Sequence, residues 1–157
     1  MPRVTPRGIF MKRTQKINTV LSILQDEVNG DVTTALKKLS KSYTMTWMYK
    51  GKKKLFPSTK PNFKTELNDV YPTKGRTYEI KNIAEGKDVV MVELVESYPD
   101  AKTRKIFRTP LVLVTEMKKG RIVKGRHYCD PAISHLFLSH KEIEKGFHGV
   151  STKLRLE

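Results

Sequence analysis

The chain has 157 residues, with 31 Lys and Arg against 16 Asp and Glu and a formal charge of +15. A hydrophobic content of 38% can build one packed core and excludes a disordered chain, which would pair high charge with few apolar residues. No run nears the roughly 18 apolar residues of a membrane span, the basic start lacks a leader's apolar stretch, and the single Cys129 cannot form an internal disulfide, so a cytoplasmic setting is expected.

In chain order, residues 1–11, with two prolines and a glycine, read as a flexible arm. Residues 12–147 read as one domain and 148–157 as a C-terminal tail. Ile17, Val20, Leu21, Leu24 and Val28 fall on one face of a helix from about Lys12 to Val28. Asn29-Gly30 stops it, and Asp31 offers a cap for a second helix over 32–42 carrying Val32, Ala35, Leu36, Leu39 and Tyr43.

From Thr44 to Lys50 the period changes to two, which predicts a strand with Met45, Trp47 and Tyr49 on one face. Gly51 to Lys54 is a basic turn, and Lys50, Lys52, Lys53 and Lys54 are expected to be solvated. Pro57 to Pro61 reads as loop. Asn62 caps a short helix with Phe63, Leu67 and Val70 that ends before Pro72.

The remainder reads as a meander: Arg76–Ala84, Val89–Tyr98, Lys105–Met117 and Arg121–Cys129, each closed by turn residues, the last by Asp130-Pro131. Pro110 inside the third strand argues for an edge or a bulge. Val89–Val92 and Leu111–Val114 are apolar on both faces, so both faces are covered. Helices on one face, and either a cavity or a second subunit on the other, satisfy this.

The order helix, turn, helix, strand, short helix and four-strand meander resembles the nuclear transport factor 2-like superfamily. The run Gly120-Arg121-Ile122-Val123-Lys124-Gly125-Arg126-His127-Tyr128-Cys129-Asp130-Pro131 is similar to the final strand of its SnoaL-like and limonene-epoxide-hydrolase-like branch. The resemblance implies an α+β fold in which a curved antiparallel or mixed sheet forms a cone, wrapped by the N-terminal helices around an apolar pocket. It implies a homodimer and a small apolar organic molecule as partner. The implied activities are isomerisation, cyclisation or hydration by acid–base proton transfer; the branch also contains epoxide hydrolases and simple binders.

Site residues follow from that register. His127 stands where the branch places an acid, and shares a face with Gly125 and Cys129. Glu96 stands at the acid of a preceding strand, where an apolar wall would raise its pKa. Together they are expected to form the polar end of the pocket and to shuttle a proton, with His127 protonated beside the carboxylate. Asp130 is a lesser catalytic candidate that more naturally caps the next turn or pairs with Arg126. Trp47, Tyr49, Leu94 and Cys129 are expected to line the pocket. Glu93 reads as a surface residue. His135, His140 and His148 form no metal-ligand spacing, so neither metal nor cofactor is expected. Charge alone raises the alternative of nucleic acid as a partner, but no recognition motif accompanies it.

Overall fold

The computed structural model describes residues 13–49, 57–59, 61, 64–65 and 74–157. The expected arm, the Lys50–Lys54 turn, and Phe63, Leu67 and Val70 of the expected short helix lie outside the described residues, while Pro61, Lys64 and Thr65 of that segment are helical. Helix α1 spans Gln15–Asn29, with Thr14 as N-cap and Gly30 in the left-handed conformation at φ 72°. Glycine takes that φ without a Cβ penalty, which is why the helix stops there. Asp31 accepts from the Thr34 amide and starts α2, Val32–Lys37.

That helix is shorter than expected. Strand β1 runs Leu39–Trp47, so Leu39 and Tyr43 belong to a strand. A spacing of four puts two side chains on one face of either a helix or a strand, so the apolar pattern could not choose between them. Pairing of β1 beside β6 (Arg121–Cys129) decides it. Pro57–Thr59, read as loop, is strand β2 on the outer edge of β1. Edge positions tolerate proline because one side of the strand needs no donor.

Strands β3 (Thr77–Glu85), β4 (Val89–Pro99) and β5 (Ile106–Lys118) form the expected meander with β6. After it come the short helices α3 (Pro131–Ser134) and α4 (His140–Gly146) and strand β7 (Leu154–Leu156). The segment read as a tail thus contributes a strand antiparallel to β3, with Leu156 buried opposite Tyr78. One mixed sheet results, in the order β2-β1-β6-β5-β4-β3-β7, with β1 and β6 parallel. Register shifts in β1, β3 and at the β5–β6 pair bend it.

Pro110 lies in a central strand, with no bulge against β4. The β6 pairing ends at Leu111–Cys129, so β5 is locally an edge one residue further on. The proline stands where the ladder on that side has already stopped.

The inner face of the sheet carries Met45, Ile80, Val90, Val92, Leu94 and Leu111. It packs against Ile17, Val20, Leu21 and Leu24 of α1. Each such side chain withdrawn from water contributes about 1.5–3 kcal/mol. On the outer face α4 covers one end: Lys81, fully buried, bonds Glu144 and Thr152 Oγ1, the latter at 2.8 Å. Met91 and Tyr128 remain 44% and 40% exposed on that face.

Candidate functional site

His127 and Glu96 lie on the same face of the sheet. Register carries it: His127 opposes Leu113 on β5, Leu113 opposes Val92 on β4, and Glu96 is an even number of residues from Val92. The face is the inner one, under α1. Two strand spacings and four residues nevertheless separate them, roughly 16 Å in a flat sheet. They form two separate polar groups.

The first group surrounds His127. Trp47 on β1 is its parallel partner, with ring centroids 4.8 Å apart at 58°. Tyr49 lies 6.3 Å beyond Trp47, ring to ring. Leu113 and Cys129 share the face and are partly buried. Gly125, two residues before His127, leaves room for Tyr43 and Met45: a Cβ there would stand 2.8 Å from both the Tyr43 hydroxyl and the Met45 methyl. Imidazole Nδ1 is buried without a hydrogen-bond partner among the described residues. Burial lowers the His127 pKa to about 4, so the ring is neutral at pH 7. The expected protonated form is corrected accordingly, because no carboxylate among the described residues offsets the burial. Cys129 is a thiol whose pKa is raised by burial and then by Asp130.

The second group surrounds Glu96. Its carboxylate pairs with the guanidinium of Arg76, which is 4% exposed. Tyr78 donates to Glu27 Oε2 of α1 at 2.6 Å and reaches Glu96 Oε1 at 3.4 Å. Burial, then the Glu27 charge, raises the Tyr78 pKa well above its ordinary value. Glu96 therefore does not stand alone in an apolar wall as expected. Arg76, Tyr78 and Glu27 were not singled out from sequence; a lone basic residue before a strand and an acid near a helix end carry no signal until the chain folds.

The remaining candidates separate cleanly. Asp130 is exposed and caps α3, accepting from the Ala132 amide at 2.9 Å. Arg126 pairs instead with Glu116, so the Asp130–Arg126 bridge is not formed. Leu94 is fully buried in the core and offers no surface to a ligand, contrary to its expected lining role. Glu93 accepts from Asn82 at 2.6 Å on the outer face. His140, absent from any spacing motif, lies 3.2 Å from Glu79 and 3.8 Å from Glu144. These three could supply metal donors. The Lys81 ammonium, bonded to Glu144 and 4.0 Å from Glu79, is the resident cation of that cluster.

No protein-family model matches the sequence, and no curated protein matches it. Solved structures share its fold at low identity. One is IdmH of Streptomyces antibioticus, a candidate polyketide cyclase: TM-score 0.69, 13% identity, covering 79% of this chain and 98% of that one. Another is an LEH-like epoxide hydrolase of M. tuberculosis: TM-score 0.62, 18% identity, covering 88% of this chain and 100% of that one. A third is a nuclear transport factor 2-like protein of unknown function from Cytophaga hutchinsonii: TM-score 0.57, 17% identity, covering 83% of this chain and 100% of that one.

Proposed function

We propose that this chain, whose fold is the nuclear transport factor 2-like roll with the helices and sheet of the SnoaL-like and epoxide-hydrolase-like structures, binds a small apolar organic molecule against the His127 group and isomerises or cyclises it by moving a proton. The observation that carries this reading is the Nδ1 of His127, buried beside Trp47 with no hydrogen-bond partner among the described residues. A buried polar atom without a partner costs stability, and such orphans persist chiefly where a function uses them. Trp47, Tyr49 and Cys129 supply apolar and aromatic surface around it.

A neutral imidazole is suited to one task. It can donate a hydrogen bond to a substrate carbonyl, or accept a proton, without first surrendering a charge to water. That polarises the carbonyl and acidifies the adjacent carbon. Glu96 takes no part in that step, because Arg76 already holds its carboxylate far along the sheet. The epoxide-hydrolase version is disfavoured because, among the described residues, no acid stands beside His127 to protonate an epoxide oxygen.

The chain acts as a homodimer in this reading, with Met91, Val112 and Tyr128 of the outer face meeting their copies. Among the described residues no helix is long and apolar enough to cross a membrane, and a cytoplasmic setting suits the lone thiol.

The test is saturation transfer and heteronuclear NMR against a panel of small cyclic ketones and polyketide-like aromatics. Binding should shift the His127 and Trp47 side-chain resonances first. Replacement His127→Gln should lower any turnover by 10²–10⁴, the usual worth of a positioned proton-transfer group. Ligands that shift only the Arg76–Glu96 group would sink the assignment.

A further inference from the structure

We infer that the end of the sheet formed by the β5–β6 and β3–β4 turns is a docking surface for the phosphate backbone of duplex nucleic acid, independent of base sequence. Six exposed cations converge at this one end from four chain segments: Lys37 at the end of α2, Lys41 in β1, Lys87 in the β3–β4 turn, and Lys118, Lys119 and Arg121 at the β5–β6 turn. None forms a salt bridge among the described residues. Of the acids nearby, Glu85 is engaged by Lys16, Asp26 by Lys38, and Glu116 by Arg126 and Lys124, while the exposed Asp31 near Lys37 and Asp88 beside Lys87 form no ion pair among the described residues and leave the six cations in excess.

Topology brings them together. The starts of β1, β6 and β4 and the ends of β5 and β3 all lie at this end, since β1 and β6 are parallel and the others alternate. Hydrogen bonds tie the segments to each other. Arg121 donates to the Lys37 carbonyl, the Met117 amide to the Asp88 carbonyl at 2.8 Å, and Lys16 to the Gly86 and Lys87 carbonyls at 2.7 Å. The cations are therefore a row and not a flexible tail. From β1 to β3 the row spans four strand spacings, about 19 Å, or the axial length of roughly five to six base pairs.

The surroundings choose among polyanions. Among the described residues the row carries no exposed aromatic side chain on which single-stranded bases could stack. Gly86 and Gly120 form the turn tips, and among the described residues no exposed apolar side chain stands at those tips to enter a bilayer. What remains is a rigid line of charge, which fits a regular line of phosphates. No base-reading element accompanies it among the described residues, so binding is weak, fast and steeply salt-dependent.

The experiment is anisotropy of a fluorescein-labelled 25-base-pair duplex titrated with the intact protein between 50 and 200 mM NaCl. The variant Lys41→Glu/Lys118→Glu/Lys119→Glu is compared with Lys102→Glu/Arg104→Glu/Lys141→Glu, which alters net charge equally on other surfaces. Thermal melts establish that both fold; Lys118→Glu/Lys119→Glu, at an exposed turn, serves if the triple variant does not. Affinity at 100 mM salt should fall at least tenfold in the first variant and less than threefold in the second, with the log–log salt slope reduced by roughly one per cation removed. Equal losses in the two variants, no duplex binding at 50 mM, or capture by phosphatidylserine vesicles with the duplex ignored would each overturn the proposal.

Discussion

The Trp47 ring rests 4.8 Å from the His127 ring because the two residues are register partners across the one parallel strand pair of the sheet. This pairing buries the imidazole and strips it of water. Burial, which leaves the charged imidazolium without water, depresses its pKa.

Stability should report that depression. The folded pKa of about 4 lies below the unfolded value near 6.5. The unfolded chain therefore binds the proton more readily, and the contribution is full above about pH 6.5 and lost as pH falls towards 4. The loss is of order 3 kcal/mol. Urea denaturation at pH 7 and pH 4.5 should show a decline for the native protein, and His127→Gln should remove that share of it. Carbon-detected NMR titration of His127 with a midpoint above 6 would contradict the argument.

Removing one partner of the Arg76–Glu96 pair should destabilise strongly. Arg76 is 4% exposed, and Arg76→Ala leaves a half-buried carboxylate beside Glu27. A cost of about 3 kcal/mol is expected, as for other broken buried pairs. Tyr78→Phe should cost less, about 1–2 kcal/mol, through the lost bond to Glu27. Chemical denaturation of both variants checks the order.

Gly125→Ala should disturb the inner face without unfolding it. The added methyl would press on the Tyr43 hydroxyl and on Met45, and overpacking of this kind costs about 1–3 kcal/mol. Thioether flexibility lets Met45 yield, so the expected sign is a melting temperature lowered by several degrees. A shift of the Trp47 indole resonance should accompany it, since Met45 and Trp47 share the face and the strand.

Loss of the last strand should be costly despite its length. Leu156 is 7% exposed and lies opposite Tyr78. Leu156→Ala should cost about 2–5 kcal/mol, within the range of buried leucine truncations. Arg155→Ala, on the exposed side of the same strand, should stay within about 1 kcal/mol. Equal effects would mean that β7 contributes charge pairing and not packing.

Local chemistry alone determined much of this molecule. Asn29-Gly30-Asp31 carries a helix stop and a helix start in three residues, and both occur where backbone φ and side-chain capping demand them. The four meander strands were legible because turn residues punctuate runs of β-branched side chains. The shared face of His127 and Glu96 was expected from the family resemblance, and the strand pairing β4–β5–β6 places both side chains on the inner face. Their separation was not legible. Distance along and across a sheet depends on which strands become neighbours and by what stagger, and both follow from long-range pairing. The same holds for Leu39 and Tyr43, whose spacing suits helix and strand equally, and for Arg76 and Glu27, which meet the Glu96 region from a strand entry and a helix end. Charge was countable from composition, but only the topology, by bringing strand starts and strand ends to one edge, gathered Lys37, Lys41, Lys87, Lys118, Lys119 and Arg121 into a row.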